Sequence, residues 1–198
     1  MRACAGISLV LLTMPLLAGE RMTVSVCIQG HLGGNAVMSA EGVAAALFRP
    51  AGIEIVWAPC DTGPEGDEAI RQHWFTLRLR NGQPFIRPSP RALDTLGEAF
   101  FSIDDAAYIV EVYYEAVETL AASKLIEPKT LLGCVMAHEL GHLLLGPGHA
   151  PSGIMRAAWD AADLNRIRQG RLHFNPAEDA RMRRVLQGTV AASSASHE

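Results

Sequence analysis

One segment, Leu131-Leu132-Gly133-Cys134-Val135-Met136-Ala137-His138-Glu139-Leu140-Gly141-His142-Leu143-Leu144-Leu145, constrains the fold more than any other part of the chain. It is apolar almost throughout, yet it carries two histidines and a glutamate. Pro128 stands where the first turn of a helix tolerates proline, and Gly146-Pro147-Gly148 supplies a stop. The segment therefore reads as a helix from Pro128 to Leu145, apolar on every side and so destined for burial. Placing His138, Glu139 and His142 in such a helix is costly unless something pairs with them. Helical residues i and i+4 stand one turn apart and about 40° apart around the axis, so His138 and His142 aim at one point. Glu139 is rotated by about 100° and flanks that point.

This is the His-Glu-x-x-His pattern, in which two imidazoles bind zinc and the glutamate acts as general base on a metal-activated water. Catalytic zinc takes a third protein ligand and keeps one position for water. His149 is the candidate, because Gly146, Pro147 and Gly148 end the helix and let the chain turn back. Asp160, Asp163 and Glu178 are the alternatives, the last giving a carboxylate-type site on a later helix. Three neutral imidazoles would leave zinc its full charge and draw the pKa of bound water toward about 7.

His138-Glu139-x-x-His142, Gly146, His149 and Ser152-Gly153-Ile154-Met155 together resemble the metzincin clan of zinc peptidases, whose signature is HExxHxxGxxH followed by a Met-turn. The spacing departs by one residue: Gly146 is four and His149 seven positions after His142. The resemblance implies an α+β, zincin-like fold: a twisted mixed sheet with a backing helix and an active-site helix, plus a small helical C-terminal lobe. It implies zinc held by His138, His142 and His149, Glu139 as general base, and Met155 as an apolar floor under the metal. It also implies that the strand Leu96–Ser102 binds an extended peptide along its edge. The stretch from His138 to Trp159 is similar to a group of small secreted bacterial proteins with the same signature. That likeness reaches upstream to Leu96-Gly97 and the Tyr108 strand, and downstream to Arg183.

The rest of the chain reads as alternating elements. Thr23–Ile28, Ile53–Trp57, Trp74–Arg80, Leu96–Ser102 and Tyr108–Tyr113 are expected strands, Ile53–Trp57 being the most continuously apolar and therefore expected at the centre of the sheet. Ala36–Phe48, Glu115–Leu125, Asp160–Arg168 and Pro176–Leu186 are expected helices. Ala191–Glu198 is small and polar and reads as a disordered tail. The 198 residues suit one domain with two lobes. The expected division is a leader over 1–19, a catalytic part over 20–149 and a second part over 150–190.

The leader reading rests on Met1-Arg2 followed by the apolar run Ile7–Leu17 and Ala18-Gly19, the pattern of a secretory signal peptide; a buried N-terminal element is the other reading. Export permits disulfides, and Cys27 and Cys60, both beside strands, are able to pair. Cys134 reads as a small buried hydrophobe. Seventeen Lys and Arg against 21 Asp and Glu argue against a nucleic-acid binder. Trp159 is either a pocket wall or ordinary packing, and His31, His73, His173 and His197 default to loops.

The expectation is a secreted or periplasmic, monomeric zinc endopeptidase acting on a peptide or protein substrate. It makes no stable membrane insertion once its leader is cleaved. Three other classes are open: a zinc-binding recognition module without catalysis, a zinc hydrolase with a carboxylate third ligand and a non-peptide substrate, and a thiol hydrolase using Cys134.

Overall fold

The structure, a computed structural model, describes residues 20–29, 34–60, 74–82, 96–101 and 108–194. The expected leader over 1–19 lies outside them. Among the described residues the chain is α+β, with a five-stranded mixed sheet and five helices. In chain order these are β1 (Glu20–Gln29), α1 (Gly34–Phe48), β2 (Ile53–Pro59), β3 (Trp74–Arg80), β4 (Gly97–Phe101), β5 (Tyr108–Tyr113), α2 (Tyr114–Lys124), α3 (Pro128–Leu145), α4 (Ala161–Arg168) and α5 (Pro176–Ser194), with a short 3₁₀ turn at Arg49–Ala51.

The strand order is β2-β1-β3-β5-β4. Four strands run parallel, and β4 pairs antiparallel with β5, Gly97 opposite Val112. Parallel strands need long crossovers, and α1 supplies the one between β1 and β2. Met22, Val24, Ile53, Ile55, Phe75, Leu77, Leu79, Val110 and Val112 are all buried and belong to one apolar core. The core is closed by α3, which packs against α1, α2, α4, α5, β4 and β5. A helix touched on so many sides is apolar all round for that reason.

Two expectations are corrected. Ile53–Trp57 lies at the edge of the sheet, not at its centre. Its apolar run is interrupted in space, since Glu54 and Val56 face outward while Ile53 and Ile55 are buried, and the middle places go to β1 and β3. The last helix continues past Leu186 to Ser194, so part of the expected tail is helical: Ala191, Ala192 and Ser193 do nothing to stop a helix.

Two tethers fasten the ends of the fold. Cys27 and Cys60 form a disulfide, with Cα atoms 4.6 Å apart, joining β1 to the end of β2. Arg183 on α5 donates from Nε to Ala51 O at 2.7 Å and from Nη2 to Pro50 O at 3.2 Å. No helix among the described residues is long and apolar enough to cross a membrane.

Candidate metal centre

The buried helix α3 carries His138, Glu139 and His142 into the interior, where they are 9%, 5% and 6% exposed. Each imidazole has one nitrogen engaged by the backbone. His138 Nδ1 lies 2.7 Å from Ile154 O, and His142 Nδ1 lies 3.0 Å from Gly146 O. With the protons on Nδ1, both Nε2 atoms carry free lone pairs, and they stand 3.1 Å apart. That separation suits two ligands of one ion: arms of about 2.0–2.1 Å at a tetrahedral angle give an edge of roughly 3.3 Å. Burial holds His138 well below the ordinary imidazole range, at about 4, with smaller effects from His142 and His149 and opposition from the Ile154 carbonyl. His142 is lowered mainly by the same desolvation. Neutral imidazole is the form that binds a metal.

His149 completes the cluster. The ligating atoms of His138, His142 and His149 all lie within 4.8 Å of one another, the sole such group among the described residues. Its ring is 4.8 Å from that of His142 and 5.4 Å from that of His138. The one-residue departure in spacing is absorbed at Gly146, whose φ of 86° with ψ of −178° is a conformation reserved for glycine. Gly146 both ends α3, through its N–H to His142 O at 2.7 Å, and turns its own carbonyl back to His142 Nδ1.

None of the carboxylate alternatives belongs to the histidine cluster. Asp160 caps α4 through Ala162 N–H and Asp163 N–H. Asp163, fully buried, pairs with Arg156 at 2.6 Å and Arg166 at 2.8 Å. Glu178 accepts from Asn175 N–H at 2.7 Å at the start of α5. It lines, with His149, Met155, Asn175 and Arg181, a cleft of about 290 Å³ beside the histidines.

Met155 is 1% exposed and lines the same cleft as His149. A Cβ added at Gly141, between the two helical histidines, would come 2.6 Å from Met155 Sδ. The turn that delivers Met155 is tied by Ala150 N–H to Met155 O and Ile154 N–H to His173 O. Cys134 is buried and free as expected, its thiol pushed up to about 12 by desolvation, which makes it inert as a nucleophile.

Glu139, rotated about 100° from His138 and about 60° from His142 around the helix axis, packs against β4. A Cβ on Gly97 would stand 2.7 Å from both Cγ and Oε1 of Glu139, so the strand backbone lies directly over the carboxyl. Burial, with a smaller contribution from Glu98, raises Glu139 to about 8. Glu98 is anchored by Tyr113 Oη at 3.1 Å. Sequence reasoning missed the contribution of Gly97 and Glu98, and nothing in the local pattern of an isolated short strand signals it. It likewise missed the two backbone acceptors, Ile154 O and Gly146 O, because backbone carbonyls leave no residue-type signature.

The donor set is three imidazoles with a buried carboxyl alongside, which suits borderline-soft zinc better than oxygen-seeking Ca²⁺ or Mg²⁺. The three histidines lie close enough together to hold one metal ion, and Glu139 is not one of that group. No protein-family model and no curated protein matches the chain.

Proposed function

We propose that the protein is a secreted or periplasmic zinc peptidase of metzincin type, with His138, His142 and His149 as ligands and Glu139 as general base. One observation carries the reading: both helical histidines have Nδ1 engaged by a backbone carbonyl, leaving two Nε2 atoms 3.1 Å apart beside a third imidazole. A purely structural pair of buried histidines has no need of that convergence.

Zinc bound there would polarise a carbonyl and acidify a water. Glu139 takes the proton of the attacking water on a carboxylate oxygen and returns it to the leaving amine. For this it must be ionised at neutral pH, and a divalent charge beside it lowers the value of about 8 that burial imposes. The backbone of β4, an edge strand, lies over Glu139 and suits the pairing of an extended peptide next to the base. The cleft beside His149 has room for one side chain. The Cys27–Cys60 disulfide is compatible with an oxidising compartment.

The test is digestion of a diverse peptide library by the zinc-loaded protein, with and without chelator, alongside Glu139→Gln. Cleavage is expected to vanish with chelator and to fall by about 10²–10⁴ in the variant, while zinc stoichiometry stays at one. Undiminished turnover in Glu139→Gln would falsify the mechanism. A wild-type protein that holds zinc and cleaves nothing would instead be a recognition module.

A further inference from the structure

The carbonyl that fixes His138 has a second donor. Trp159 Nε1 donates to Ile154 O at 3.2 Å, while His138 Nδ1 meets the same oxygen at 2.7 Å. The indole and imidazole rings stand edge to face, with centroids 5.9 Å apart and planes at 89°. A carbonyl oxygen has two lone pairs, and here both are used. Ile154 is fully buried and its own N–H is bonded to His173 O, so the residue is held through both its N–H and its carbonyl. Trp159 is held in turn: it directly precedes Asp160, the cap of α4, and Arg156 binds both Asp160 and Asp163 across that turn.

We propose that Trp159 is a positioning residue for the metal site, its indole N–H locking the Ile154 carbonyl so that His138 keeps its proton on Nδ1 and its Nε2 aimed at the point shared with His142 and His149. The consequence for the metal rests on the zinc reading above; the consequence for the His138 tautomer does not. Partners of this kind orient a ligand ring and set its tautomer, and their loss typically weakens metal binding by about 10–100-fold. If Trp159 merely filled space, its ring would matter and its N–H would not.

Trp159→Phe separates the two, since it keeps an aromatic ring and removes the donor; Trp159→Leu removes both. Nitrogen-15 NMR of the imidazoles in the full, metal-free chain reads the tautomer, and competition against a chromophoric chelator reads zinc affinity. In the wild type, His138 is expected as the single Nδ1-protonated tautomer. In both variants a mixture of tautomers is expected, with zinc affinity about tenfold lower. A Phe variant that keeps the wild-type tautomer overturns the proposal, whether or not the Leu variant loses it. So does a Phe variant of altered tautomer that binds zinc within twofold of wild type. A wild type that binds no zinc overturns the metal reading alone, and the tautomer comparison still decides the role of Trp159.

Discussion

At the scale of single residues, the centre is built from groups whose protonation is set by burial. His138 is driven toward its neutral form and Glu139 toward its acid form, both chiefly by desolvation. Glu139 has a consequence for stability that is measurable without any substrate. Its carboxyl rises from 4.5 to about 8 on folding of the metal-free chain. A raised carboxyl binds its proton more tightly when folded, so it favours folding below about pH 4.5 and that contribution is lost as pH climbs toward about 8. The slope for one such group is at most about 1.4 kcal/mol per pH unit. Urea unfolding of metal-free wild type and Glu139→Gln across this range is expected to show the wild type losing ground steadily with rising pH. A difference between the two proteins that stays flat would contradict the assignment. His138, Glu139 and His142 were legible as a set from spacing alone, because helical periodicity turns a sequence interval into an angle. The hydrogen-bond acceptors behind the two histidines were not legible, since they are backbone atoms brought in from the Met155 turn and from Gly146.

At the scale of elements, the site depends on a close approach between α3 and β4. The bounds of α3 followed from Pro128 and Gly146, both local signals, and the structure ends the helix where they place it. The place of β4 followed from nothing local. Gly97 pairs with Val112 and lies on Glu139, and a Cβ there would also come 2.8 Å from the carbonyl oxygen of Glu111 on the paired strand. The Glu139 side chain can move aside, but the Glu111 backbone is fixed by the sheet. Gly97→Ala is therefore expected to shift β4 or displace Glu139 from its pose. Peptide hydrolysis should fall at least tenfold with zinc content unchanged, since misplacing a catalytic group by about 1 Å costs on the order of a hundredfold. Wild-type kcat/KM in that variant would show that the contact has no bearing on catalysis. The edge position of β2 belongs to this scale too: alternation of Ile53 and Ile55 with Glu54 and Val56 marks a strand with one exposed face, a signal that the flanking apolar residues obscured.

At the scale of the whole molecule, long-range tethers unite elements that are distant in sequence. The Cys27–Cys60 bridge closes a loop with a separation of 33 residues between the two parallel strands at the β2 edge. Chain-entropy arguments put its contribution at about 3–4 kcal/mol, through restriction of the unfolded state. Reduction is expected to lower the free energy of unfolding by that amount, read as a lower urea midpoint at unchanged slope. Thiol titration of the denatured, unreduced protein is expected to find Cys134 reactive and Cys27 and Cys60 silent; reactivity at either of those two would dismiss the bridge. Arg183 performs a similar service without a covalent bond, joining α5 to the turn before β2.

The sequence by itself determined which residues could make a metal site, where its helix starts and stops, and that a glycine-rich turn follows. These are local properties, governed by helix periodicity, by the missing N–H of proline and by the backbone freedom of glycine. Only the tertiary structure decided that His149 joins His138 and His142 despite the extra residue, and that Asp160, Asp163 and Glu178 cap helices or pair with arginines. It also placed Met155 against Gly141, and an edge strand over Glu139. Each of those outcomes depends on which surfaces close around one buried helix, and burial is a property of the assembled core that no interval along the chain encodes.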